Sequence, residues 1–342
     1  MNLDNKELKN LIKVRYINIS SNDAPKKSSI NKNSLLNHVA NFSFPRLAGT
    51  DGEKKAVKLT IKTFKTLGFP DKHIVVRDFQ FSDFYSTTLV KLIMTINLIF
   101  NLVLMLLVYI HISLTMILIG VMVIVTYLLI RRLKHPEILG FWGEYFGDTL
   151  DATNVYVKIP AKKRSEKEAG NIILTAHLDS KSQTYTTSQR VTLYRLWVYS
   201  GIFFGLFYIL HIVFLFGNLK IPILIALYGA WISSIIISLS NIFLLFLNTD
   251  NKSPGALDNA SGMAIVFELS KFFLLNPLNN FNIWGCQFSA EELGTMGSRY
   301  FVNDHNHELI KGRVFQINFD MVSCNCQKQN YIQYFESYGI LF

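Results

Sequence analysis

The sequence predicts an α/β domain with a mixed, mainly parallel sheet that carries helices on both faces, and two transmembrane helical hairpins interrupt it. Two observations support this prediction. Strand-like and helix-like runs alternate along the polar parts of the chain, which is typical of a parallel sheet covered by helices. Two long apolar blocks break that alternation, and they explain why 50% of the 342 residues are hydrophobic.

The chain begins with a polar segment, residues 1–33, that is rich in Asn, Lys and Ser. It lacks the apolar core that a signal peptide needs, so we expect a flexible leader. Residues 34–87 form the first part of the domain. Their apolar spacing predicts two helices, the second with Thr50 or Asp51 as N-cap, followed by a strand near residues 75–81.

The two apolar blocks occupy residues 88–133 and 191–248. A bilayer requires roughly 20 apolar residues for each helix that crosses it, and each block is long enough for two helices joined by a turn. We therefore expect four membrane spans. Because each hairpin returns the chain to the side that it left, all polar segments lie on one side of the membrane.

Basic residues indicate which side that is. The net charge of +10 is spread over the polar segments, which favours a membrane surface over a nucleic-acid partner. Only Lys220 lies at a far turn, so the positive-inside rule predicts that the domain is cytoplasmic. The basic residues on the domain side are Lys91, Arg131, Arg132, Lys134, Arg190, Arg195 and Lys252.

The remaining parts of the domain, residues 134–190 and 249–342, carry the candidate chemistry. Strand-like runs end in side chains that are able to bind a metal ion, and open α/β sheets place their sites at such strand ends. Alone, Asp258 fits a turn and each glutamate fits the first turn of a helix. Together the candidates are His177 with Asp179, Asp258, Glu291 with Glu292, and Asp320.

Imidazole and carboxylate ligands without thiolates suit zinc, or a harder ion such as manganese or cobalt. An aspartate is able to bridge two metal ions, and an uncoordinated glutamate is able to take a proton from an attacking water. The residues therefore predict a metal-dependent hydrolase at the edge of the sheet.

Four motifs extend this reading. The chain resembles the co-catalytic zinc aminopeptidases of the M28 peptidase family, and the segment at residues 45–53 resembles the stretch that precedes the catalytic domain in many members. The motifs are His177-Leu-Asp179-Ser, Gly255-Ala-Leu-Asp258-Asn-Ala-Ser-Gly262, Ser289-Ala-Glu291-Glu292-Leu-Gly294 and Asn318-Phe-Asp320-Met-Val.

The resemblance implies a zinc-peptidase-like α/β/α sandwich with two zinc ions. It implies that His177 and Asp320 bind one zinc, that Asp258 bridges the pair and that Glu292 binds the second. The family's last ligand is a histidine downstream of position 320, and no histidine follows His307 in this sequence. We therefore expect an incomplete second zinc site, in either a truncated piece or a mono-metal or inactive relative.

The remaining roles also come from the resemblance. It implies that Glu291 is the general base and that Asp179 holds the ring of His177. His305 and His307 are weak candidates for the missing ligand, because they precede Asp320 in a polar loop.

The predicted function is a membrane-anchored, zinc-dependent aminopeptidase that hydrolyses N-terminal residues of peptides by a metal-activated water. Two alternatives stay open: a catalytically impaired membrane scaffold, and a di-metal hydrolase of another amide, such as a carboxypeptidase or deacylase. The expected partners are the lipid bilayer and a peptide substrate near the membrane, with no nucleic acid. The sequence does not indicate an oligomeric state.

Overall fold

The computed structural model describes residues 30–132, 136–138 and 140–322. The predicted leader up to residue 29, Lys134 and the last residues from 323 onward lie outside the described residues.

A five-stranded mixed sheet forms the centre of the domain, in the order β1-β2-β6-β3-β7. The strands β6, β3 and β7 run parallel, and β1 and β2 add an antiparallel edge. A separate antiparallel ribbon pairs β4 with β5. The strands are β1 Ile74–Ser82, β2 Thr149–Ile159, β3 Gly170–His177, β4 Ser182–Gln183, β5 Thr249–Asp250, β6 Phe281–Phe288 and β7 Val314–Asn318.

Nine α-helices lie in the described part of the chain. Short 3₁₀ turns at Asp71–His73 and Asp83–Tyr85 flank β1, and a distorted turn at Ala256–Ala260 leads into the eighth helix. The helices are α1 Lys32–Asn41, α2 Asp51–Thr66, α3 Thr88–Ile110, α4 Ile112–Arg132, α5 Gly140–Phe146, α6 Thr187–Phe216, α7 Lys220–Leu245, α8 Ser261–Leu275 and α9 Met296–His305.

Both faces of the sheet are covered, which confirms the predicted fold class. One face packs against α1, α2 and α8 through a core that includes Phe64, Val157 and Phe267. The other face packs against α9, where Trp284 and Phe301 meet edge to face. Alternate side chains of β2 and β6 point into these two cores. The polar loops lie at the ends of the strands.

The helices α3, α6 and α7 are long and apolar enough to cross a membrane, while the apolar part of α4 is the shorter segment Ser113–Leu128. Polar contacts join the two hairpins. The side-chain oxygen of Asn97 accepts hydrogen bonds from Trp197 Nε1 at 3.2 Å and from Asn241 Nδ2 at 2.8 Å. The hairpins therefore form one bundle.

Three helices differ from the sequence prediction. Helix α6 begins well before its apolar run, because Thr186 and Gln189 form a reciprocal capping box. The sequence predicts a short helix over residues 298–302, but α9 spans Met296–His305, since the buried Met296 and Phe301 anchor it in the core. Helix α5, which follows the first hairpin, was not predicted.

Candidate metal centre

The site lies at the carboxyl edge of the parallel strands. In the sheet register His177 pairs with Phe288, and Thr175 pairs with Asn318. The loops that follow β3, β6 and β7 therefore begin side by side. This register brings residues that are far apart in the sequence to one place.

His177 is buried at the end of β3, with 4% of its surface exposed. Its Nδ1 donates a hydrogen bond to the backbone carbonyl of Asp179 at 3.0 Å. Its Nε2 faces Asp258 Oδ1 at 2.9 Å and Asp320 Oδ1 at 3.5 Å. The bond at Nδ1 fixes the tautomer and leaves Nε2 as the nitrogen that is able to bind a metal ion.

The loop that carries Asp258 is held by its neighbours. Gly255 has a φ of +59°, and a Cβ there would approach Ser180 Cβ to 2.5 Å, so this turn requires glycine. Asn259 caps α8, since its Oδ1 accepts from Gly262 N at 3.0 Å, and its Nδ2 donates to Phe319 O at 2.8 Å. Asn259 thereby connects the loop of Asp258 to the strand end before Asp320.

One ligand atom from each of His177, Asp258 and Asp320 lies within 4.8 Å of the others. Two carboxylates this close repel each other unless a positive charge lies between them. Burial disfavours the charged ring of His177, but the carboxylates outweigh it and hold its pKa well above the ordinary value. The hydrogen bond with His177 lowers the pKa of Asp258. This donor set fits a divalent ion such as zinc, which supplies the same positive charge.

Asp179 is fully buried, and its carboxylate organises the glutamate loop. Its two oxygens accept hydrogen bonds from the backbone N–H groups of Glu291 and Glu292, each at 3.1 Å. The carboxylate lies 3.6 Å from His177 Nδ1, which is too long for a hydrogen bond. The hydrogen bond at Nδ1 of His177 is made by the Asp179 backbone carbonyl, and the role of the Asp179 side chain in holding the ring, which the resemblance implies, stays a prediction.

The two glutamates have different surroundings. Burial raises the pKa of Glu291 to about 7, with the nearby Asp179, Glu292 and Asp320 adding to the shift. Burial also raises the pKa of Glu292, although Lys181 opposes the shift. Lys181 Nζ lies 3.0 Å from Glu292 Oε2 and donates to its backbone carbonyl at 2.6 Å. Among the described residues, Glu292 lies outside the three-residue ligand group, and its role at a second zinc stays a prediction.

Arg46 is a residue of the site that the sequence reading did not single out. Its side chain is fully buried and donates only to backbone carbonyls: Leu178 at 2.7 Å, Gly255 at 2.9 Å, and also Phe42, Phe44 and Pro254. Burial lowers its pKa to about 10, so the guanidinium stays charged near Asp179 and Asp258. The only sequence signal was its place in the segment at residues 45–53.

Glu53 was predicted only as a first-turn residue of α2. It is in fact buried, with Oε1 accepting from Ser289 Oγ at 2.7 Å and from Thr153 N at 2.9 Å. Burial raises its pKa. Ser289 begins the glutamate loop, so Glu53 fixes the start of that loop while Asp179 holds the backbone of Glu291 and Glu292.

The histidines considered as substitute ligands lie elsewhere. His305 contacts Tyr156 OH through Nε2 at 2.9 Å and Glu308 Oε1 through Nδ1 at 3.0 Å, so both ring nitrogens are engaged. His307 is exposed beside Glu308. In the described residues neither histidine joins the group of His177.

Parts of the chain resemble known proteins in sequence. Residues 241–338 match the model of peptidase family M28. The chain is 34% identical over 76 residues to aminopeptidase YwaD of Bacillus subtilis, which is 22% of this chain and 16% of that protein. It is also 34% identical over 92 residues to the probable lipoprotein aminopeptidase LpqL of Mycobacterium tuberculosis, which is 25% of this chain and 18% of that protein.

The predicted resemblance to peptidase family M28 is confirmed over residues 241–338. The M28 segment contains Asp258, both glutamates and Asp320. The match spans less than a fifth of the length of either relative. Among solved structures, the aminopeptidase from Aneurinibacillus sp. strain AM-1 aligns with a TM-score of 0.42 at 13% identity, covering 85% of this chain and 70% of that one.

Proposed function

We propose that the protein is a membrane-anchored, zinc-dependent aminopeptidase that hydrolyses the N-terminal residues of peptides. The observation that carries the proposal is the convergence of His177, Asp258 and Asp320 at the carboxyl edge of an M28 segment. The two relatives are named as aminopeptidases, which supports the choice of reaction.

His177, Asp258 and Asp320 would hold the first zinc ion, and Asp258 with Glu292 would hold a second. When bound, zinc polarises the scissile carbonyl and makes water acidic enough to attack near neutral pH. The contact between His177 Nδ1 and the Asp179 carbonyl keeps Nε2 directed at Asp258 and Asp320. The protein's own contacts therefore orient these ligand atoms.

Glu291 is the proposed general base. A base that operates near pH 7 works best with a pKa close to that value, and burial raises the pKa of Glu291 to about 7. Asp179 fixes its backbone through the N–H bond at 3.1 Å. The Glu291 carboxylate would take the proton of the attacking water and pass it to the leaving amine.

Membrane anchoring is proposed from the helices α3, α4, α6 and α7, three of which are long and apolar enough to span a bilayer. We propose four spans with the catalytic domain on the cytoplasmic side, because Lys91, Arg131 and Arg195 flank the helices at the domain end.

The test is the release of a fluorescent amine from aminoacyl substrates by the full chain in detergent with added zinc. Glu291→Gln should lower kcat by about 10²- to 10⁴-fold, the usual range for a lost general base, while zinc content stays unchanged. Glu166→Gln, an equally isosteric change in a half-exposed partner of Lys158, is the matched control and should retain full activity. Unchanged turnover in Glu291→Gln would remove Glu291 from this role.

A catalytically impaired scaffold is the second candidate, favoured by the pairing of Lys181 with Glu292. An ammonium group already neutralises the carboxylate that a second zinc would use. Hydrolysis by the wild-type chain with measured zinc occupancy would exclude this candidate. A substrate panel with blocked N termini would separate an aminopeptidase from a carboxypeptidase or deacylase.

A further inference from the structure

The edge of the sheet that carries the site is also the edge at which the first hairpin joins the domain. Ser82, the last residue of β1, pairs with Thr149, the first residue of β2. The antiparallel pairing of β2 with β6 ends with Val155 opposite Gln287, so Thr149 and Ser82 extend past the carboxyl end of β6. The chain therefore leaves for α3 and returns from α4 and α5 at the same edge as His177.

The second hairpin joins the loops of the site themselves. After Asp179 the chain enters β4 and then α6, and after α7 it passes through β5 before it reaches Asp258. The β4–β5 ribbon holds these two connections together, with Ser182 Oγ donating to Asp250 O at 2.8 Å. This short ribbon lies between the helices of the second hairpin and the segments that carry His177 and Asp258.

A hydrogen bond connects the two hairpins where they join the domain. Lys91 Nζ, in the first turn of α3, donates to Asn248 Oδ1 at 2.6 Å in the connection between α7 and β5. The helices therefore leave the domain at this edge, and in a bilayer that contains the helices this edge would face the membrane surface.

Exposed apolar side chains stand beside the ligands at this edge. Leu257 is 49% exposed next to Asp258, and Met321 and Val322 are 54% and 40% exposed after Asp320. Val322 N donates to Ser261 Oγ at 3.1 Å, and this bond holds Met321 and Val322 near the turn that carries Leu257. We call Leu257, Met321 and Val322 the apolar rim. Large apolar side chains exposed next to a site mark a surface that an apolar ligand or interface covers.

We propose that the site acts on the N termini of peptides held at the bilayer surface, such as membrane-inserted or lipid-anchored chains, and that the apolar rim receives their apolar residues. The inference rests on the proposed aminopeptidase function and membrane anchoring. A substrate tethered to the same bilayer reaches the site at an effective millimolar concentration. An extended chain spans about 3.3–3.6 Å per residue, so a short spacer suffices only when the site faces the membrane.

The test uses the full chain in lipid nanodiscs with zinc. Three substrates share one N-terminal reporter sequence: a soluble peptide, a transmembrane-anchored peptide with a short spacer of about five residues, and the same anchor with a spacer of about thirty residues. The short-spacer substrate, placed in the same nanodisc, should be cleaved at least about tenfold faster than the soluble peptide at equal total concentration. The same substrate supplied in separate nanodiscs should lose this advantage.

The double variant Leu257→Ser, Met321→Ser should lower the ratio of anchored to soluble cleavage. Phe315→Ser, which changes an equally exposed aromatic residue on β7 away from the ligands, should leave that ratio unchanged. Equal cleavage of soluble and anchored substrates, or a preference for the long spacer, would overturn the inference and leave the aminopeptidase standing. No release from any substrate would overturn the proposed function, and this inference with it.

Discussion

Two histidine clusters in the protein show what distinguishes a metal centre from a structural contact. His177 sits between the carboxylates of Asp258 and Asp320, which are both partly exposed. His305 bonds to Tyr156 and Glu308, and Lys158 forms an ion pair with Glu308 at 2.6 Å. The first cluster places two carboxylates against one ring, whereas in the second the carboxylate that contacts the ring also contacts an ammonium group.

The clusters also differ in how they are built. His305 and Glu308 lie three residues apart, so local structure alone brings them together. The ligand group comes from the ends of β3 and β7 and from the turn Ala256–Ala260, and Asn259, Asp179 and Arg46 connect these loops. A site assembled over such distances depends on its buried supports.

The largest expected effect separates the two histidines. Losing a residue that only hydrogen-bonds to a metal ligand weakens metal binding by up to about 100-fold. His177→Gln removes a proposed ligand itself, so it should weaken zinc binding by more than about 100-fold and abolish hydrolysis. His305→Gln should retain zinc within about twofold and lose about 1 kcal/mol of stability from its hydrogen bonds. Zinc titration with a competing chelator and thermal unfolding measure both. If His305→Gln lost zinc as His177→Gln did, the comparison would be wrong.

A smaller effect is expected at Arg46, which supports only the first cluster. Arg46→Met removes the donor for five backbone carbonyls and should cost about 3 kcal/mol, since buried acceptors are left unpaired. Zinc affinity should fall by about 10- to 100-fold, as for other partners that position ligands.

The matched control for Arg46 is Arg77→Met, which breaks the ion pair with Asp304 at the surface. This change should cost less than about 1 kcal/mol and leave zinc binding unchanged. Arg46→Lys keeps the positive charge but loses the planar fork, so it should fall between the two. Normal zinc affinity in a folded Arg46→Met variant would contradict the positioning role.

The sequence predicted the chemically marked parts of the structure best. The sequence 281–288 predicts a strand, because an apolar run between turns is a local signal, and β6 spans Phe281–Phe288. His177 and Asp320 were recognisable since few side chains bind metals and both lie at the ends of parallel strands, which meet at one edge of a sheet. Asp258 was expected at a strand end as well, but it lies in the turn Ala256–Ala260, after the separate β4–β5 ribbon.

The supporting contacts had no such signal. Arg46 looks like an ordinary surface arginine in the sequence. Its acceptors are backbone carbonyls, three of them on the distant residues Leu178, Pro254 and Gly255, and a backbone carbonyl leaves no signal in the sequence. Lys181 beside Glu292 and Glu53 beside Ser289 are likewise tertiary contacts between charged residues that usually face solvent. The antiparallel pairing of β1 with β2 was also not predicted, since a strand-like run in the sequence does not indicate which strand it pairs with.

The smallest effect concerns a third histidine, His38, which joins α1 to Glu268 of α8 at 3.2 Å. Burial lowers the pKa of His38, although Glu268 opposes the shift, and Lys271 adds to it. The folded protein therefore holds fewer protons on His38 than the unfolded chain does just below pH 6.5. Stability from this residue is present above about pH 6.5 and is lost as the pH falls through the lowered pKa.

His38→Gln keeps a hydrogen-bonding side chain without the titration. The wild-type thermal midpoint should fall more steeply than that of the variant between about pH 6.5 and pH 5, and the two slopes should agree above that range. The zinc affinity of both should be the same, because His38 lies on the helices that cover the sheet and outside the ligand group. A steeper fall in the variant would mean that attraction to Glu268 outweighs burial, and that His38, like His177, takes up a proton when it meets a carboxylate.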